Sequence, residues 1–383
     1  MNAPNVVESE YDAANDAPQQ LVHRTTVVAK MMGLSDQVLR RMTEPGGVLA
    51  DVARADGPVA VRLFTPADIF RLAAHLRTTG KLKGLPHPVT VSIYLPKGGV
   101  GKSTLATEMA VLWQLAGLRV LVIDADPQAS TTIMFGYEPE ATAENMEELH
   151  LAEEDLITHT FADLMHFPEF PNSRPPRPLS EVVKKPFGEY GPHLIPADVT
   201  LAGLLYQLAN ANNRDKRIRS WIEKGRNNPT TNLDLSQYDI ILYDNAPATS
   251  VLSRAALVAS DYCISPIRLD SLSAKSMSFI ATTLTELNEA ELPFPEVIAV
   301  PTFFSPNTKR SASVMQGLRD NYGDNAIELK VRQSEALSGA MTKDFPKQRM
   351  PLSLQKPKEP VVTDDLSPIA QLLVERFRGG NNV

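Results

Sequence analysis

Lys97-Gly98-Gly99-Val100-Gly101-Lys102-Ser103-Thr104 is the part of this chain from which its architecture follows. An apolar run at residues 89–95 precedes it, and a helical pattern follows it from Leu105. A strand, a Gly-rich turn and a helix start are typical of a phosphate-binding loop, because glycines let backbone N–H groups approach phosphate oxygens. The helix N-terminus adds partial positive charge. In such a loop Lys102 reaches the β- and γ-phosphates and the Ser103 hydroxyl ligates Mg²⁺.

Two further apolar runs end in acidic residues. Residues 120–123 lead into Asp124 and Asp126, and residues 240–243 lead into Asp244. Such runs predict buried parallel strands, and ligands of open α/β sheets gather at the carboxyl ends of the strands. A single aspartate at such a place is more commonly a loop or helix-cap residue. The joint spacing with the loop favours the interpretation that all three face a nucleotide.

The loop departs from the general phosphate-binding pattern, since Pro96 stands where the first glycine is expected and Lys97 adds a second lysine. This deviant form resembles the partition and positioning ATPases, a family that includes ParA, MinD, the nitrogenase iron protein and the arsenite-pump ATPase. By motif order, the resemblance covers roughly residues 89–378.

The resemblance implies a set of site residues. Lys97 reaches across a dimer interface to the partner's nucleotide, Asp124 orients the attacking water, and Asp244 holds Mg²⁺ together with Ser103. Lys97, Lys102 and Asp124 are therefore the candidate catalytic residues. The candidate ATP-binding residues are Lys97, Gly98, Gly99, Val100, Gly101, Lys102, Ser103, Thr104, Asp126, Asp244 and, at the adenine, Asn307.

Length and composition narrow the class of protein. The 383 residues suggest two domains, and the net charge of −7 argues against nucleic-acid binding by the whole surface. Cys263 is the only cysteine, which excludes an intrachain disulfide and the shared iron–sulfur cluster of the nitrogenase iron protein. No apolar stretch approaches the length of a membrane span, and no signal peptide is recognisable at the N-terminus. We therefore expect a cytoplasmic protein.

The chain divides into three parts: residues 1–20, 21–88 and 89–383. The first holds four acidic residues and no basic one and is predicted to be a disordered tail, whereas residues 21–90 hold ten Lys/Arg and five Asp/Glu. Residues 26–32 and 36–42 predict two helices separated by a turn at Gly33, with Ser35 as N-cap.

This outline, with a possible wing at 44–63, resembles the winged helix-turn-helix extension of larger ParA proteins of the SopA type. It predicts operator-DNA contacts by Arg40 and Arg41. A small helical dimerisation module is the alternative.

The order of runs along the chain predicts an α/β P-loop NTPase with a mostly parallel sheet flanked by helices. By the family resemblance, residues 326–336 hold the late strand and the loop after it. Residues 300–350 hold eight Lys/Arg and five Asp/Glu. The ParA resemblance places four of them on non-specific DNA: Arg332, Lys330, Arg310 and Lys309. For each of these, a solvated surface charge is the alternative.

Two segments carry less information. Residues 137–192 are acidic early and Pro-rich later, and they predict loops and short helices that form a partner-facing insertion.

Residues 367–378 predict an amphipathic helix. A MinD-like membrane-targeting helix and a terminal helix packed on its own domain both fit. We favour the packed helix, because the polar face carries few basic residues.

The functional expectation is a ParA-type ATPase for DNA partition. ATP and Mg²⁺ would join two subunits, the dimer would bind nucleoid DNA, and a ParB-type adaptor would stimulate hydrolysis, without a membrane role. A MinD-like membrane-positioning ATPase and a nucleotide-sensing transcriptional repressor remain alternatives.

Overall fold

The computed structural model describes residues 21–55, 61–171, 173–269, 273–305, 309–340 and 342–379, with the backbone alone for 273–277 and 309–311. The predicted disordered tail, residues 1–20, lies outside this part of the chain, as does Asn307.

The described N-terminal residues form a small, mainly helical unit. A two-stranded antiparallel sheet pairs His23 with Phe64 and Arg24 with Leu63. Ser35 caps the second helix by accepting from Val38 N at 3.3 Å, as predicted. The elements are β1 (His23–Arg24), α1 (Thr25–Met31), α2 (Asp36–Met42), β2 (Leu63–Phe64) and α3 (Pro66–Thr78).

A six-stranded sheet forms the centre of the rest of the chain. Its strands are β3 (Val89–Ile93), β4 (Val120–Ala125), β5 (His193–Ile195), β6 (Ile240–Asn245), β7 (Tyr262–Arg268) and β8 (Glu296–Thr302). Their spatial order is β5-β4-β6-β3-β7-β8, and every pair is parallel. The prediction of a mostly parallel sheet is confirmed.

Helices cover both faces of this sheet, so β3, β4 and β6 are buried throughout and read as continuous apolar runs. The helices are α4 (Lys102–Leu115), α5 (Ser130–Met134), α6 (Leu179–Val182), α7 (Leu201–Ala209), α8 (Arg217–Asn227), α9 (Val251–Val258), α10 (Ser273–Glu289), α11 (Lys309–Tyr322), α12 (Glu335–Gly339), α13 (Leu352–Gln355) and α14 (Ser367–Phe377). A π-helical turn, Val361–Leu366, leads into α14.

The parallel register brings the three candidate aspartates to one edge. Ile93, the last residue of β3, is paired with Asp244, and Asp244 is paired with Asp124. Because parallel strands end at the same edge of a sheet, the loop after β3 and the carboxylates of β4 and β6 lie together.

The expected late strand in residues 326–336 does not form. Two isolated parallel bridges, Ala299↔Ala326 and Phe304↔Arg332, and a backbone bond from Val331 N to Pro301 O at 2.9 Å join this segment to the chain near β8 without forming a strand. Between them Glu328 is exposed and its carboxylate pairs with Arg319 at 2.6 Å. The prediction was wrong because continuous pairing is interrupted where the segment turns to solvent.

The C-terminal helix α14 packs on its own domain. Ile369, Leu373 and Phe377 are buried. The Trp113 indole donates to Ala370 O at 3.2 Å, and its ring meets Phe377 edge-on at 5.5 Å between centroids. The packed-helix interpretation is confirmed. Among the described residues, no helix has the length and apolar character needed to span a membrane.

Candidate nucleotide site

The loop between β3 and α4 has the backbone that a phosphate cradle requires. Gly99 and Gly101 have φ values of +68° and +86°, a region that side chains disfavour, and Gly101 is the N-cap of α4. Lys102 is 7% exposed and its Nζ donates to Lys97 O at 2.8 Å. Burial lowers the pKa of Lys102, and Asp244 and Asp126 oppose this shift. The loop therefore presents a buried ammonium and the N-terminus of α4, to which an anionic ligand can bind, and two carboxylates lie beside them.

Asp244 and Ser103 form a site that fits Mg²⁺. Asp244 is fully buried, and its Oδ2 accepts from Thr131 Oγ1 at 2.8 Å. Its Oδ1 is buried without a hydrogen-bond partner in the described part of the chain. Burial raises the pKa of Asp244, and the nearby Ser103 hydroxyl lowers it. One unpaired carboxylate oxygen beside a hydroxyl suits Mg²⁺, which takes one or two carboxylates and completes its shell with phosphates and water.

The carboxylate of Asp124 is buried and accepts hydrogen bonds within the fold. Its Oδ2 accepts from Thr132 N at 2.9 Å and from Thr132 Oγ1 at 2.7 Å, and its Oδ1 accepts from Asp126 N at 3.2 Å. The side chain has no exposure. Both oxygens are thus engaged inside the fold, and Asp124 would have to leave these bonds before it could contact a water. The catalytic role of Asp124 stays a prediction.

Asp126 lies beyond the end of β4 and remains 8% exposed. Its Oδ1 accepts from Gln128 N at 3.0 Å. Its charge acts on both Lys102 and Asp244, so it lies near both. Lys97 is half-buried at the start of the loop. The structure therefore brings Lys102, Ser103, Asp126 and Asp244 together, and the backbone carbonyl of Lys97 joins them by accepting from Lys102 Nζ.

A cavity of ≈ 110 Å³ opens on the other side of the loop. Gly101, Thr104 and Leu105 line one wall, and residues 331–334 line the other. Its position beside the loop and away from the carboxylates suits the base of a nucleotide. Asn307, the predicted adenine contact, lies outside the described residues.

The predicted DNA-binding residues do not share one environment. Arg332 is paired with Asp365, whose two oxygens lie 2.7 Å from its Nε and from a terminal nitrogen, and it lines the cavity beside the loop. Lys330 Nζ lies 4.8 Å from the centre of the Phe304 ring. Lys309 and Arg310 begin α11, and their side chains are not described. Arg332 is thus held by carboxylates in this conformation, and its DNA contact stays a prediction.

Arg40 and Arg41 are exposed on α2, whereas their neighbour Leu39 is fully buried. Both arginines are accessible to a ligand, and their role also stays a prediction.

The sequence did not lead us to the threonines that donate hydrogen bonds to the carboxylates of Asp124 and Asp244. Thr131 and Thr132 lie in the first turn of α5 and donate hydrogen bonds to Asp244 and Asp124 respectively. Their position a few residues after Asp126 was a usable signal, because a hydroxyl at a helix start near a strand end can reach a neighbouring strand.

Comparisons with known proteins identify the family of this chain. The family model described as an AAA domain matches residues 89–293. The chain is 25% identical to the putative replication protein A of Rhizobium rhizogenes, over 82% of this chain and 75% of that protein. It is 26% identical to the chromosome partitioning protein ParA of Caulobacter vibrioides, over 63% of this chain and 81% of that protein.

A solved structure shares the fold. Cobyrinic acid a,c-diamide synthase from Mycobacterium smegmatis, with a bound ATP analogue and magnesium, matches with a TM-score of 0.56 at 18% identity. The match covers 77% of this chain and 97% of that one. This structural likeness supports the fold alone. The family model and the sequence relatives support the assignment to a family. This chain belongs to the ParA-type P-loop ATPase family.

Proposed function

We propose that this protein is a DNA-partition ATPase whose two subunits join around ATP. The observation that supports this most strongly is the cluster of Lys102, Ser103, Asp126 and Asp244 at the carboxyl ends of β3, β4 and β6, with Lys97 at the loop entrance. A P-loop lysine, a hydroxyl and a carboxylate in this arrangement are the parts that phosphoryl transfer needs.

Each residue has a defined role in this mechanism. Lys102 and the loop N–H groups stabilise negative charge on the γ-phosphoryl group. Ser103 and Asp244 hold Mg²⁺, which when bound neutralises charge on the phosphates. Asp126 orients a water that attacks the γ-phosphorus. The bond to the bridging oxygen breaks, and ADP and inorganic phosphate leave. Asp126 takes this role because it remains 8% exposed, whereas both oxygens of Asp124 accept hydrogen bonds within the fold.

Lys97 couples hydrolysis to assembly in this proposal. It contacts the partner subunit's nucleotide, so ATP joins the subunits and ADP favours monomers. Two subunits aligned in this way double the number of phosphate contacts, which steeply raises affinity for non-specific DNA. A ParB-type adaptor then stimulates hydrolysis and releases the dimer.

Analytical ultracentrifugation with ATP, with ADP and without nucleotide tests this mechanism on the full chain. We expect a dimer with ATP only. Lys97→Ala should abolish the ATP-dependent dimer and DNA retention while nucleotide affinity changes little, whereas Lys102→Ala should weaken nucleotide binding itself. The same assembly state in all three conditions, or an equal loss of nucleotide and DNA binding in Lys97→Ala, would refute the mechanism.

A second proposed activity is autorepression through the N-terminal helices. The exposed Arg40 and Arg41 on α2 support it, because a second helix that carries exposed cations suits the DNA major groove. A gel shift with the full chain should show preference for its own promoter over random DNA. Arg40→Glu with Arg41→Glu should remove this preference and leave ATP-dependent non-specific binding, and an absent preference in the unaltered protein would exclude the activity.

A further inference from the structure

Two neighbouring backbone carbonyl groups of the phosphate loop accept hydrogen bonds from side chains outside the loop. An Arg268 terminal nitrogen donates to Gly99 O at 3.0 Å, and Thr302 Oγ1 donates to Val100 O at 3.2 Å. Arg268 is the last residue of β7 and Thr302 the last residue of β8. Since the spatial order is β3-β7-β8, both side chains reach the loop from the same side.

These bonds orient the N–H groups on the opposite side of the loop. The Gly99 carbonyl and the Val100 N–H belong to one peptide unit, and the Val100 carbonyl and the Gly101 N–H belong to the next. In a planar trans peptide the carbonyl and the N–H point in opposite directions. No described peptide bond is cis. Fixing the two carbonyls therefore fixes the direction of the Val100 and Gly101 N–H groups.

The two donors are themselves held in place. The Arg268 guanidinium lies 4.1 Å from the centre of the Phe303 ring, a favourable cation–π distance. Phe303 has a φ of +54°, a strained conformation that persists only where surrounding structure imposes it. The Thr302 side chain is 3% exposed. Thr302 is thus held by burial and Arg268 by its contact with Phe303, and both bonds to the loop form in the absence of a ligand.

We propose that Arg268 and Thr302 are positioning residues that direct the Val100 and Gly101 N–H groups at the diphosphate portion of the nucleotide. The proposal rests on nucleotide binding at this loop. Because the diphosphate is common to ADP and ATP, both residues serve the two nucleotides equally. In this they differ from Lys97, whose proposed role depends on ATP.

Calorimetric titration of the full chain with Mg²⁺-ADP and with a non-hydrolysable ATP analogue tests the proposal. Thr302→Val removes the donor at nearly constant volume, and we expect about fivefold weaker binding of both nucleotides, as for loss of one hydrogen bond. Thr302→Ser keeps the hydroxyl and should restore affinity. Arg268→Met should weaken binding about tenfold, because its donor is charged.

Thr282→Val is the matched control, since it deletes a hydroxyl that donates to Ser278 O within α10. It should bind as the unaltered protein does. A merely structural role for Arg268 and Thr302 would lower the melting temperature without changing affinity in the folded range.

The outcomes separate this proposal from the proposed function. If the unaltered protein binds ADP and both Thr302→Val and Arg268→Met bind it equally well, the positioning role is overturned and the ATPase proposal stands. If the unaltered protein binds neither nucleotide, both proposals fall. Should Thr302→Val not fold, Arg268→Met, at a half-buried position, decides the question alone.

Discussion

The two aspartates of the Asp124-Ala125-Asp126 motif differ in what surrounds them. Their spacing of two would give them the same face on a strand, so the sequence alone does not distinguish their roles. The carboxylate oxygens of Asp124 accept hydrogen bonds from Thr132 and from the Asp126 N–H. Asp126 follows the last residue of β4 and remains 8% exposed. The different roles that we propose for them rest on how α5 packs against β4.

Asp126→Asn and Asp124→Asn should therefore fail in different ways. We expect Asp126→Asn to lower the turnover number by about 10²–10⁴, the usual contribution of a general base, with nucleotide affinity nearly unchanged. Asp124→Asn should mainly lower the melting temperature, since its amide NH₂ would face the Thr132 N–H. Phosphate release and thermal unfolding measure the two effects, and full turnover by Asp126→Asn would contradict the assignment.

The buried carboxylates predict a pH dependence. Burial raises the pKa of Asp124 and of Asp244, and Asp244 further raises that of Asp124. A carboxyl group whose pKa is raised in the folded state binds more protons in the folded protein than in the unfolded chain. Its contribution to stability is therefore present below the pKa of the unfolded chain, near ~4. This contribution is lost as the pH rises through the pKa of the folded state.

The contribution of Asp124 and Asp244 to the free energy of unfolding of the nucleotide-free protein should thus fall as the pH rises from about 4 toward neutrality. Mg²⁺ affinity should rise over the same range, because the ion needs the ionised carboxylate. Denaturant unfolding at several pH values measures the slope. Asp124→Asn and Asp244→Asn should each flatten it, and an unchanged slope in both variants would show that other groups cause it.

At the level of helices and strands, the apolar runs and the N-cap residue Ser35 were enough to predict β3, β4, β6 and α2. Those signals are local. The segment 326–336 was misassigned because its pairing with β8 depends on where the chain turns to solvent at Glu328. Arg268 and Thr302 were missed for a related reason: their contacts with the loop span more than 160 residues of sequence, and nothing local marks them.

The C-terminal helix offers a test of its packing. Phe377 is 5% exposed and lies between Trp113 and Tyr262, with ring centroids at 5.5 and 4.8 Å. Phe377→Ala should destabilise the protein by about 3 kcal/mol, as expected for a buried aromatic. Gln371→Ala, at an exposed position of the same helix, is the control. Equal unfolding midpoints in urea for the two variants would show that α14 is not docked.

In the whole molecule, residues 21–88 do not stand apart from the ATPase domain. The Phe70 ring of α3 contacts Phe187 at 5.9 Å between centroids. His23 Nε2 lies 2.6 Å from Leu354 O, and Arg378 donates to Lys83 O at 2.7 Å. A fragment that ends at residue 88 would expose surface that these contacts bury. DNA binding by the N-terminal helices is therefore best measured on the full chain.

A further link between the two parts is the ion pair of Arg77 in α3 with Asp239, which precedes β6. Arg77 bonds both Asp239 oxygens and also donates to Gly117 O at 2.8 Å. The Asp239 side chain is 9% exposed and also accepts from Arg119 N at 2.7 Å, so removal of Arg77 leaves a largely buried carboxylate with less compensation.

Arg77→Met should accordingly destabilise the protein by about 2 kcal/mol, less than for a fully buried pair because the arginine is partly exposed. Arg319→Met is the control, since its partner Glu328 is mostly exposed and the pair should contribute about 0–1 kcal/mol. Urea unfolding followed by fluorescence measures both. If Arg77 unites the two parts, its loss should also reduce the cooperativity of unfolding, because the N-terminal helices would then open separately. An unchanged midpoint and slope for Arg77→Met would mean that apolar contacts such as Phe70 on Phe187 are sufficient to hold the two parts together.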